Sequence, residues 1–165
     1  MPEFLRDPAG LVAGADETQL RRELDQVGQD RRAELRLCGK IGEIERVSGR
    51  DGRPMLRRAL ELARALGDID AVQINTIRYA TACFYMGDAA GAEQLLTDLI
   101  SDLERAAEAA HLHFAYQHLG KCLAEQGRYK EAVDLFEKAL ARRTDPVLRA
   151  SSERAIAEAD RLRRG

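Results

Sequence analysis

Three histidines, His111, His113 and His118, crowd into one short stretch, and Cys122 follows the last of them by four residues. Imidazole and thiolate are the usual ligands of zinc, and a Cys–His pair is the core of thiol catalysis. The spacing argues against both. On a helix His111 and His118 share a face but stand about 10 Å apart along the axis, too far to hold one ion alone. His113 points elsewhere, because positions two apart on a helix do not face each other. His118 and Cys122 do share a face, yet two ligands make a weak metal site. No orienting third group and no oxyanion hole accompany them. The remaining cysteines, Cys38 and Cys83, complete neither a CxxC pair nor an even disulfide set. All three thiols lie in helical stretches and read as small core residues. No catalytic residue, metal or cofactor is expected.

Other chemistry is equally thin. Gly49-Arg50-Asp51-Gly52 is glycine-rich but lacks the phosphate-binding Lys and a preceding strand. Glu43 and Glu45 sit in a charged helical stretch and read as solvated carboxylates. Arg161, Arg163 and Arg164 read as a solvated helix end, where positive charge suits the dipole.

A chain of 165 residues is long enough for one domain with a real core. It is 45% hydrophobic and 33% charged, with a formal net charge of −2, so nothing points to nucleic acid. No apolar run approaches the roughly 18 residues of a membrane span. The opening MPEFLRDPAGLVAGADE has no basic region ahead of its apolar patch and is a poor signal peptide, which makes a cytoplasmic location the default. Its prolines and glycines predict a flexible segment over 1–15. Ala, Leu, Arg and Glu abound and only four prolines interrupt, so the fold class is all-α.

The elements declare themselves most clearly between Tyr116 and Pro146. Leu119-Gly120, Leu123, Gly127, Tyr129, Ala132, Phe136, Ala139 and a closing Pro146 give an order of large and small residues that resembles a tetratricopeptide repeat. That unit has about 34 residues in two antiparallel helices. Here the first helix should run from about Leu112 to Gln126 and the second from about Tyr129 to Arg142. Gly120 and Ala132 are small where the two helices cross. A step back of 40 residues maps Gly127 onto Gly87, Ala132 onto Ala92, Phe136 onto Leu96 and Gly120 onto Ala80. An earlier repeat therefore covers about 69–107, with helices near Ile74–Met86 and Ala89–Glu104. This spacing resembles the longer-helix variant of bacterial repeat proteins.

A further step finds a degenerate repeat over about 31–67, with helices near Arg31–Val47 and Pro54–Leu66. Its glycines fit more than one register. Asp16–Asp30 is either a separate helix or an extension of the next. Asp145-Pro146 opens a last helix over 146–163 whose single apolar stripe suits a cap. The resemblance implies one domain over 16–165, a right-handed α-solenoid of about three helix pairs with an N-terminal helix and a C-terminal capping helix.

The resemblance also implies a concave groove lined by the first helix of each repeat. It assigns Ile74, Ile77, Arg78, Thr81, Phe84 and Tyr85 from one repeat, and Phe114, Gln117, His118 and Lys121 from the next. The family's carboxylate clamp of Lys, Arg and Asn is missing, because Ile77, Thr81, Phe114 and His118 occupy those positions. What remains is apolar surface with two cations. It suits an apolar or amphipathic protein or peptide carrying acidic groups. The expected role is a non-enzymatic adaptor that binds a protein or peptide in the groove. The alternatives are a self-associating module, as a homodimer or within a larger assembly, and a regulatory partner of a signalling or transcription protein.

Overall fold

A computed structural model describes residues 16–106 and 110–164; the expected flexible segment over 1–15 lies outside them. Among the described residues there are eight helices and no strand. They are α1 (Glu17–Asp25), α2 (Arg31–Val47), α3 (Arg53–Ala65), α4 (Ile69–Tyr85), α5 (Ala89–Arg105), α6 (Leu112–Glu125), α7 (Tyr129–Ala141) and α8 (Pro146–Arg164). They fall into two compact units that meet in sequence at Gly87 and Asp88. Within each unit successive helices pack in chain order, the arrangement of a helical-repeat solenoid.

Aspartates start the helices. Asp16, Asp30, Asp68 and Asp88 each accept backbone N–H groups of the first turn that would otherwise lack partners. Asp68 accepts from the Ala71 N–H at 3.0 Å, so α4 begins at Ile69 rather than near Ile74. Glycines end them. At Gly127 φ is +77°, and the Arg128 N–H reaches back to the Leu123 carbonyl at 2.9 Å, closing α6. Gly28, at φ +59°, turns the chain between α1 and α2, so Asp16–Asp30 holds a separate helix. Glu17 and Glu45 clasp Arg21 from α1 and α2, at 2.9 and 2.6 Å. These pairs are partly exposed, so they fix orientation more than stability.

In the unit ending at Gly87, Leu35, Cys38, Ala59, Leu62 and Ala63 form a buried cluster, with Leu24, Met55, Leu66, Ala71 and Val72 packed around it. Gly42 decides how α2 meets α3. A Cβ there would lie 2.5 Å from Leu56 Cγ, and one on Gly52 would lie 2.2 Å from the Gly42 carbonyl oxygen. The register left open by several glycines is thus set by Gly42 and Gly52, where the two backbones come close. In the unit from Asp88 onward the same device recurs. A Cβ on Gly120 would stand 2.6 Å from Phe136 Cε1, and Phe136 and Ala132 are fully buried on α7. A buried Phe contributes about 2–3 kcal/mol by area alone, so this crossing anchors α6 to α7.

Candidate functional site

The groove residues assigned from the sequence do not share one environment. On α4, Ile77, Thr81 and Phe84 are buried. The Thr81 hydroxyl donates to the Ile77 carbonyl at 2.7 Å, so it serves its own helix. Ile74, Arg78 and Tyr85 are half-buried and lie on one stripe of the helix, four and seven residues apart. The Tyr85 ring meets Phe84 edge-on at 5.5 Å and carries Arg46 over its face at 5.3 Å.

Arg46 belongs to a buried ion pair. Its Nε and Nη2 donate to the two Glu43 oxygens at 3.1 and 3.0 Å, in a bidentate fork. Burial pulls the Arg46 guanidinium down, but Glu43 and Tyr85 together more than offset this and hold it above its ordinary value. Glu43 is therefore not the solvated carboxylate its charged helix suggested. The reason is tertiary: α2 turns this face toward α4, and the chain supplies a counter-ion one turn on. Glu45 is paired too, with Arg21.

Within this same unit a cleft of about 280 Å³ opens between α2 and α4. Arg36, Lys40 and Arg78 bring cations to it, and Leu35, Ala71 and Ile74 bring apolar surface. Burial pulls the Arg78 guanidinium below its ordinary value; Glu43 raises it and Arg46 lowers it further. Asn75 also lines the cleft. Its amide donates to the Ala71 carbonyl at 2.8 Å, while its Oδ1 is buried with no hydrogen-bond partner.

On α6, Gln117 and Lys121 are buried, whereas Phe114 and His118 are half-buried. Gln117 is held by a cation just beyond the end of α7. Arg143, 5% exposed, donates through Nη1 to Gln117 Oε1 at 3.1 Å, Ser152 Oγ at 2.8 Å and the Leu148 carbonyl at 2.9 Å. The Ser152 hydroxyl donates to the same Gln117 oxygen at 2.8 Å. Arg143 Nε donates to His113 Nδ1 at 3.3 Å, and its guanidinium lies over the Phe114 ring at 5.9 Å. One buried cation thus ties α6, the end of α7 and α8 together.

The candidates for chemistry lie apart from this. His113 is pushed down to about 4, first by burial, then by Arg143 and His111. It is a neutral acceptor at physiological pH. Cys122 is buried, and burial together with Glu93 pushes its thiol up to about 12. A nucleophilic cysteine needs the opposite shift. Cys38 is buried with its thiol raised, and Cys83 is buried as well. Among the described residues no three His, Cys, Asp or Glu side chains converge as a metal site would require. At the chain's end Arg161 and Arg163 pair with Glu158 and Asp160 one turn back. Among the described residues no helix is long and apolar enough to cross a membrane.

Helix order, helix crossings and glycine-closed turns define a helical-repeat protein. Residues 71–145, from within α4 to just beyond α7, match the family model of the tetratricopeptide repeat, so this stretch of the chain carries tetratricopeptide repeats. Such repeats generally mediate protein–protein interaction. No curated protein matches the chain at a significant level.

Proposed function

We propose that this chain is a non-enzymatic adaptor that holds a protein or peptide segment against the first helices of its repeats. The observation that carries the reading is the stripe of Ile74, Arg78 and Tyr85 on α4, half-buried beside a cleft on the same unit. Apolar, cationic and aromatic groups in one line suit an amphipathic or extended peptide with acidic groups. Phe114 and His118 on α6 offer a second half-buried face. Ile77, Thr81, Phe84, Gln117 and Lys121, all buried, shape these faces from beneath rather than touch a ligand. The mechanism is preorganisation: packed helices hold the contact side chains before binding, so the ordering cost falls mainly on the ligand.

The test is a Tyr85→Ala, Phe114→Ala double variant compared with the native chain in affinity purification with quantitative mass spectrometry. Specific partners of the native chain should drop out of the variant, while circular dichroism and molecular size in solution stay unchanged. Undiminished capture by the variant overturns the assignment. Disappearance of partners together with a change in oligomer size would point instead to self-association.

A further inference from the structure

We infer that the cleft between α2 and α4 is a recognition subsite for an aspartate or glutamate residue of a bound peptide, with Arg78 taking the carboxylate and Asn75 Oδ1 taking a peptide N–H. The inference rests on the peptide-binding reading above and names what that peptide must carry.

Three observations converge. The first is unspent positive charge. Among the described residues, Arg36, Lys40 and Arg78 form no ion pair, whereas Arg46 on the same unit is fully engaged by Glu43. Arg36 and Lys40 lie one turn apart on α2, on the face that Arg78 approaches from α4. Asp68 also lines the cleft, but it caps α4 and pairs with Arg32 at 3.7 Å. Asp70 lies eight residues before Arg78, about 12 Å along the helix. A ligand carboxylate therefore belongs at the Arg78 end.

The second observation is the orphaned acceptor. Asn75 is 4% exposed, and its amide nitrogen is used by its own helix, which leaves Oδ1 as an acceptor with no donor. A buried polar atom without a partner is costly, so a ligand that supplies a donor gains by it. A free phosphate or acetate would satisfy Arg78 and bring no backbone N–H. An acidic residue within a peptide brings both a carboxylate and a peptide N–H.

The third is Gly39. A Cβ at this position would stand 3.2 Å from Arg78 Nη1 and 3.3 Å from Asn75 Oδ1. The bare backbone of α2 is what lets both groups reach the wall of the cleft together. The room, about 280 Å³, suits one side chain and its peptide unit rather than a cofactor.

The experiment uses the full chain to select binders from a random 12-residue peptide display library, and measures the enriched peptides by fluorescence anisotropy. Enriched peptides should share an Asp or Glu. Changing that residue to Asn or Gln should weaken binding about tenfold or more, as expected for loss of a charge-assisted contact. Arg78→Gln should weaken binding similarly, and the two changes together should cost no more than either alone. Arg36→Gln and Lys40→Gln, both on exposed side chains that folding does not need, should each weaken binding a few-fold and flatten its salt dependence. Gly39→Ala should weaken it with little loss of stability, because alanine favours the helix.

Enriched peptides without acidic residues, or affinities unaltered by Arg78→Gln and Lys40→Gln, would overturn this subsite and leave the peptide-binding reading standing. Inorganic phosphate at millimolar concentration displacing the peptides as well as an acidic competitor peptide does would overturn the Asn75 contact. Failure to enrich any peptide would bring down the peptide-binding reading, and this inference with it.

Discussion

At the scale of single residues, the side chains that matter most are buried and charged or polar. Arg143 is the clearest case. Next to Arg142 at a helix end, it reads in the sequence as one of two cations suited to the dipole. Only the packing of α8 separates them: Arg142 is exposed, and Arg143 donates to Gln117, Ser152 and the Leu148 carbonyl. Arg143→Met removes those donors and leaves buried acceptors unpaired. The expected loss is about 3 kcal/mol, read as a lower urea midpoint; Arg142→Met should change it hardly at all. His113 supplies a pH test. Burial holds its pKa at about 4, well below the ordinary 6.5, so the folded state prefers the neutral ring. Between those values the unfolded chain binds more protons, and stability must rise with pH. The contribution is full above 6.5 and fades as the pH falls toward 4. His113→Gln keeps an acceptor for Arg143 without a titrating ring. Thermal melts should show a smaller drop in midpoint from pH 7 to pH 4.5 for this variant than for the native chain. An equal drop would mean that His113 is not a source of acid sensitivity.

Helix boundaries were legible because local chemistry dictates them. The Asp30 cap and the glycines beyond α2, α3 and α6 act within a few residues, and these helices, like α7, begin and end within a residue or two of where the sequence puts them. Crossings were legible only where large and small residues alternate plainly. Gly120 against Phe136 announces itself; Gly42 against Leu56 does not, because α2 also holds Gly39 three residues earlier and helical spacing cannot choose between them. The two glycines turn out to differ in task, one seating α3 and one making room for Arg78 and Asn75. Gly120→Ala should cost about 1–3 kcal/mol, since its methyl would press on a fully buried ring with no space to yield. Chemical denaturation checks this, and a loss below 0.5 kcal/mol would show that the crossing relaxes freely. The groove face was the hardest to read. α4 is apolar nearly all round, so periodicity could not say which of Ile74, Ile77, Phe84 and Tyr85 face inward. Burial divides them, with Ile77 and Phe84 inside and Ile74 and Tyr85 at the surface.

For the molecule as a whole, the packing that makes it a helical-repeat protein gives its thiols and His113 structural surroundings. The thiols are buried, those of Cys38 and Cys122 with raised pKa values, and His113 serves as a structural acceptor. What the helices leave available is surface: a mixed stripe on α4, a cationic cleft beside it and a second half-buried face on α6. Charge-interspersed composition, net −2, keeps this cationic cleft invisible in the sequence, because Arg36, Lys40 and Arg78 are dispersed along 43 positions and meet only when α2 and α4 pack. The most direct test of the account is to titrate the isotope-labelled chain with a peptide it selects and follow backbone amide shifts by nuclear magnetic resonance. The account predicts the largest changes around Ile74, Asn75, Arg78 and Tyr85, with Gly39 on α2 moving alongside them. Changes confined to α3 or α8, with the amides of α4 unmoved, would contradict it.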